Sequence, residues 1–128
     1  MHASRDELPI LFGDDAAGIR GADWGGTRSM IVSLPAGGDV ASLLKGLPND
    51  QCTCPHWGYV LRGRVRVISD DGEELIQAGD LFYLPPGHVP FVEEDIEFLE
   101  FSPPADHQAV LDVIERNAAA AMAMAGAN

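Results

Sequence analysis

Between Cys52 and Ser102 the chain is cut into short β-rich segments by regularly spaced turn signals, and no other feature narrows its fold as much. The punctuation is Arg62-Gly63-Arg64, Ser69-Asp70-Asp71-Gly72-Glu73, Ala78-Gly79-Asp80, Pro85-Pro86-Gly87 and Glu93-Glu94-Asp95. Segments this short, following one another without intervening helical periodicity, imply an all-β antiparallel sandwich or barrel. Residues 27–34 read as its first strand, ending at Pro35-Ala36-Gly37-Gly38, and residues 40–47 have room for one or two helical turns before Pro48. Residues 1–26 are rich in Gly, Asp and Ala with one short apolar run, Leu8 to Phe12, and read as an arm able to add an edge strand. Beyond Pro103-Pro104 the period changes. Ala109, Val110, Val113, Ile114 and Asn117 recur at helical spacing, with Asp106 near the start, so a C-terminal α-helix is expected to dock on the outside of the barrel. The tail from Met122 is expected to fray. The expected organisation is one domain: an N-terminal arm over 1–26, a barrel over 27–104, and a helix and tail over 105–128.

A chain of 128 residues is long enough for one domain with a real core. Its 20 acidic residues against 8 basic ones give a formal charge of -12, which repels phosphate backbones and argues against nucleic acid as a partner. No window approaches the roughly 18 consecutive apolar residues of a membrane span, and the first residues lack the basic start and apolar stretch of a secretion signal. A cytoplasmic location is therefore the default. Cys52 and Cys54, the only two cysteines, are one residue apart, and an extended strand would put their Cα atoms about 6.6–7 Å from each other, too far for an ordinary disulfide. Both are expected to be thiols.

Gly63 closing Tyr59-Val60-Leu61-Arg62, then Gly79-Asp80 followed by Leu84-Pro85-Pro86-Gly87-His88, resembles the two motifs of the cupin superfamily. The first family motif is G-x5-H-x-H-x3,4-E-x6-G and the second G-x5-P-x-G-x2-H-x3-N. Gly79, Pro85 and Gly87 match the second in spacing, and Gly63 marks the end of the first. Within the superfamily, Cys52-Thr53-Cys54-Pro55-His56-Trp57-Gly58-Tyr59-Val60 is similar to a group of small single-domain bacterial cupins of unassigned function. The resemblance covers Asp50 to Ser102 and implies a jelly-roll barrel, a metal site and a homodimer.

The family's ligand positions are not filled in the usual way. Counting back from Gly63, the Glu position falls on His56 and the two His positions on Asp50 and Cys52, while in the second motif the His position falls on Pro90 and the Asn position on Glu94. Other donors stand nearby. Cys52, Cys54 and His56 have period-two spacing and share one face of an extended segment, and His88 shares a face with Pro90. His56 and His88, joined by Cys54 or Cys52 or both, are the candidate metal ligands. A thiolate and imidazole set suits a divalent transition metal, zinc first, with iron, nickel or copper as alternatives. Against this stand plainer readings: a strand cysteine is usually a small buried hydrophobe, and His88 after a tight turn can simply cap backbone groups.

If His56 points inward, Gly58 and Val60 do too, and Trp57, Tyr59 and Leu61 point outward. Gly58 either leaves room above an ion or permits a close strand approach. The outward aromatic face calls for cover, from the C-terminal helix or a second subunit. Arg62, Arg64 and Arg66 read as solvated residues pairing with carboxylates such as Asp70, Asp71 and Glu73, and His2 and His107 as surface residues. Two function classes follow: a metal-dependent enzyme acting on a small organic substrate, or a non-catalytic metal or redox sensor or small-ligand module working through a protein partner.

Overall fold

The computed structural model describes residues 1–126. Its strands are β1 (Ile10–Gly13), β2 (Gly18–Trp24), β3 (Thr27–Leu34), β4 (His56–Ser69), β5 (Gly72–Gln77), β6 (Leu81–Leu84) and β7 (His88–Ser102), with a short helix α1 (Val40–Leu43) and a long C-terminal helix α2 (Pro104–Gly126). All pairings between strands are antiparallel. The order is β1-β2-β3-β7-β4-β5, with β6 on the first half of β4.

Two of the expected turns are not turns. Arg62-Gly63-Arg64 lies inside β4 and Glu93-Glu94-Asp95 inside β7, where the β4–β7 register slips between Val60 and Val65. Gly63 has φ +87° there, and its backbone lies so close to Asp95 that an added Cβ would sit 2.1 Å from the Asp95 carbonyl oxygen. A glycine-centred bulge inserts a residue and reverses which face later side chains take. Accordingly His56, Gly58 and Val60 point inward before the bulge, and Val65 and Val67 after it. The bulge thus lets one strand serve both halves of a sheet that folds over itself. Without it, one half of β4 would turn its apolar residues to solvent.

The core between the halves comprises Val60, Val65, Val67, Ile76, Leu84, Val92 and Ile96. A smaller cluster, Leu44, Cys52, Cys54 and Val110, joins α1 and the Cys-rich segment to α2. The helix buries Val110 and Leu111, and Asn117 Nδ2 donates to the Leu43 and Lys45 carbonyls at 2.7 and 2.8 Å, capping the end of α1. The helix runs unbroken through Met122 to Gly126 instead of fraying from Met122; residues 127 and 128 lie outside the described range.

The N-terminal segment contributes more than an edge strand. Gly25 and Gly26, at φ 57° and 80°, form a two-residue hairpin turn of the type that matches strand twist, and β2 pairs with β3 over its whole length from Trp24↔Thr27 to Gly18↔Ser33. Polar Arg20, Asp23 and Arg28 interrupt the apolar alternation that would mark these strands in the sequence. Arg64 and Arg66 do pair with carboxylates, but these are Glu93 and Glu94 across the β4–β7 ladder rather than the turn acids.

Candidate metal centre

His56 opens β4 and His88 opens β7. In the ladder His88 faces Ser69, at the far end of β4 from His56, so in a flat sheet the two histidines would be roughly 40 Å apart. Closure of the sheet brings their ring centroids to 5.0 Å. Cys52 completes the group through an isolated bridge: its N–H donates to the His88 carbonyl at 2.9 Å, and the Gly87 N–H donates to the Cys52 carbonyl at 2.7 Å. One donor atom each from Cys52, His56 and His88 lies within 4.8 Å of the others, and all three residues are buried.

Each imidazole is fixed by its second nitrogen. His88 Nδ1 donates to the Pro85 carbonyl at 2.8 Å, which leaves Nε2 as a free lone pair. His56 Nδ1 faces Ser102 Oγ at 2.7 Å and Glu100 Oε1 at 3.2 Å, so its proton belongs there; Nε2 then lies 3.3 Å from Cys52 Sγ, where the thiol donates to it. Metal-binding histidines are held by this same device, Nδ1–H on an oxygen and Nε2 presented. Ligands bound to one tetrahedral zinc lie about 3.3–3.8 Å apart, so the sulfur and both nitrogens need only small side-chain rotations to meet an ion. The donor set fits a borderline divalent metal.

Cys54 is placed differently. It is fully buried, its thiol is directed to the Pro55 carbonyl at 3.4 Å, and it packs with Leu44 and Val110. Among the described residues the three-donor group does not include it. The period-two argument required an extended strand from Cys52 to His56, whereas β4 begins only at His56, after Pro55.

Burial shapes the electrostatics. It pushes the Cys52 thiol up to about 12 and the Cys54 thiol up to about 11, and lowers His56 to about 4. His88 is lowered too, against the pull of its Pro85 bond. Glu100, enclosed beside His56, is raised to about 7 by burial, with His88 opposing. In the resting state the site is thus neutral imidazole beside neutral thiol.

Four site residues were not foreseen from the sequence. Glu100 and Ser102 follow the inward alternation of β7 but carry no motif signal. Arg28 and His107 form a buried pair: Arg28 donates through Nη1 to His107 Nδ1 at 3.0 Å and to Gln108 Oε1 at 3.0 Å, and through Nε to Asp23 at 2.8 Å. His107 is therefore not a surface residue; it is 4% exposed, with its ring 6.4 Å from that of His56. The first turn of α2 is what turns it under the barrel.

Burial, then the His56 and Arg28 neighbours, lowers His107 to about 4. A histidine depressed below its unfolded value of about 6.5 contributes stability above that pH and loses it as pH falls through the folded value, here by up to about 3 kcal/mol. Urea midpoints of the wild type and His107→Gln should therefore converge as pH is lowered from 7 to 4, because the variant has no proton to take up. A constant gap across that range would disprove the assignment.

The donors line an interior cavity of about 100 Å³, whose lining also includes Val60, Val65, Val67, Ile76, Phe82, Leu84 and Phe98. Gly58 does not open space here: a Cβ on it would meet Phe82 at 2.3 Å and the Leu99 carbonyl oxygen at 2.2 Å. It serves close approach, with the Phe82 ring lying over it and edge-on to Phe98 at 5.9 Å.

Fold and site define a small antiparallel β-barrel protein with a buried Cys/His/His group facing an internal cavity. The AraC-like ligand binding domain model matches residues 56–111. An RmlC-like cupin from Shewanella frigidimarina aligns over 79% of this chain and 88% of its own, with 16% identity and a TM-score of 0.54. The polyketide cyclase RemF from Streptomyces resistomycificus aligns over 80% and 78%, with 17% identity and 0.54. Apo-HppE aligns over 80% of this chain and 57% of its own, with 15% identity and 0.57; HppE has also been solved with Fe(II). No curated protein sequence matches. These solved structures share the fold of this chain, a cupin-type antiparallel barrel with a C-terminal helix. Among the described residues no helix is long and apolar enough to cross a membrane.

Proposed function

We propose that this cupin-type barrel holds a divalent transition metal, zinc before iron, nickel or copper, through Cys52, His56 and His88, and acts on a small organic molecule taken into the barrel. The observation that carries the reading is the convergence of one thiol and two pre-oriented imidazoles within 4.8 Å in the lining of a cavity. Three protein donors, rather than a closed set of four, leave a coordination position for water or substrate, which favours an enzyme over a structural or sensing site. When bound, the ion supplies Lewis acidity. The chain's own contribution is to hold both imidazoles by Nδ1, to exclude water with the apolar wall, and to keep Glu100 beside His56 as a group that can carry a proton.

Elemental analysis of protein purified without added metal should give about one transition-metal ion per chain. Binding must displace the Cys52 proton, since that thiol is raised to about 12 while His56, lowered to about 4, is already free. Net release of one proton makes zinc affinity rise about tenfold per pH unit between 6 and 8, measurable by competition with a chelator. A pH-independent affinity would exclude the thiol as a ligand.

The second expectation carried forward is association. Trp57, Leu61, Leu81 and Tyr83 are 45–83% exposed on the outer face of β4 and β6, and Trp57 and Tyr83 stack at 5.1 Å; α2 does not cover them. An exposed apolar face on a protein of net charge -12 suits a second copy across a two-fold axis. Light scattering should show a dimer at micromolar concentration and a monomer for Leu61→Asp; a monomeric wild type would refute the assembly.

A further inference from the structure

Resting on that reading of the site, we infer that the molecule taken into the barrel is a short aliphatic compound of about four or five non-hydrogen atoms carrying one polar head group, and not a sugar or sugar acid. The geometry divides the cavity sharply. Cys52, His56, His88 and Glu100 supply every side-chain polar atom that lines it, and they cluster around His56, with donor atoms of Cys52 and His88 within 4.8 Å of it and Glu100 Oε1 3.2 Å from its Nδ1. The remaining wall is built from Val65, Val67, Ile76, Leu84, Phe82 and Phe98, with other apolar residues between them. Both halves of the folded sheet contribute, so the apolar wall surrounds the interior instead of forming one side of a cleft.

Chemistry follows from that division. A head-group oxygen can meet the imidazole and thiol end, but hydroxyls along a carbon chain would face methyl groups and rings with no hydrogen-bond partner. Size points the same way. Apolar cavities of about 150 Å³ accept benzene, and this one, about 100 Å³, accepts a smaller branched chain. A pentose or hexuronic acid is both too large and too polar. Phe82, seated over Gly58 and against Phe98, marks one boundary of the chain's space, and Val67 and Ile76 line it from β4 and β5.

The test uses 2-methylpropan-1-ol as the probe, with arabinose and galacturonate as comparators, each titrated into the zinc-loaded and the zinc-free full chain while the methyl signals of Val65, Val67 and Ile76 are followed by NMR. The alcohol should shift these signals saturably and the sugars should leave them unmoved at tenfold higher concentration. Val67→Phe fills the space and should weaken the alcohol at least tenfold while zinc stoichiometry stays at that of the wild type; if it fails to fold, Val67→Leu should give a graded loss. Tighter binding of either sugar, or alcohol binding indifferent to the Val67 substitutions, would overturn the inference. The two readings separate: methyl shifts without zinc uptake uphold the ligand class and refute the metal, and zinc uptake without methyl shifts does the reverse.

Discussion

His56→Ala and His88→Ala should each reduce zinc from about one ion per chain to near zero. Loss of a single outer partner of a metal ligand already weakens affinity by roughly 10–100-fold, so loss of a direct donor from a three-donor set should exceed about 100-fold. Cys52→Ser should do the same, since a hydroxyl does not replace a thiolate for a borderline metal. Ser102→Ala leaves all three donors but removes the hydroxyl 2.7 Å from His56 Nδ1, and should fall in the 10–100-fold class. Cys54→Ser is the contrast: its sulfur belongs to the cluster under α2, so zinc uptake should persist while the fold loses about 1 kcal/mol from placing a hydroxyl among apolar groups. Saturating zinc at about 100 times its dissociation constant should stabilise the wild type by about 2.7 kcal/mol and these three ligand variants hardly at all. Full zinc content in both His56→Ala and His88→Ala would end the metal assignment.

Gly63→Ala should be strongly damaging for a change of one methyl group. Two effects add. The backbone at φ +87° is strained by about 1–2 kcal/mol for any residue with a Cβ, and that Cβ would stand 2.1 Å from the Asp95 carbonyl oxygen and 2.7 Å from the Ile96 Cα. Both obstacles are backbone atoms of β7, held by the ladder on each side of the bulge, so they cannot rotate away. A destabilisation of about 4 kcal/mol or more is expected, a fall in Tm on the order of 15 °C for a domain of this size. Gly72→Ala supplies the control, because Gly72 has φ +126° but nothing within 4 Å of its would-be Cβ. It should lose only the conformational part, about 1–2 kcal/mol. Equal losses in the two variants would show that the β4–β7 contact is not the constraint. The Gly63 variant should also lose zinc on partial unfolding, since closure of the sheet is what brings His56 to His88.

Local patterns in the chain were enough to determine the class of fold. Turn residues at Ala78-Gly79-Asp80 and Pro85-Pro86-Gly87 separate real strands, residues 27–34 form β3 to the residue, and the switch to helical period beyond Pro103-Pro104 marks α2. These signals are carried by backbone preferences and apolar spacing over a few residues, so they survive without knowledge of what packs where. The inward setting of His56, Gly58 and Val60 and the outward setting of Trp57, Tyr59 and Leu61 follow in the same way from alternation along one strand.

Tertiary structure alone decided the rest. Gly63 and Asp95 read as turns because glycine and acidic residues end most strands; whether such a residue ends a strand or bulges it depends on a partner thirty residues away in β7. Cys54 was separated from Cys52 because Pro55 and the Cys52–His88 bridge interrupt the extended path on which period-two counting relies. Glu100, Arg28 and His107 are polar residues whose burial is repaid only by partners from other elements, so nothing local distinguishes them from surface residues. That Cys52, His56 and His88 are candidates was legible from residue type and spacing. Their meeting was not, because it requires the two ends of one strand pair to be brought together, and that closure is a property of the folded sheet.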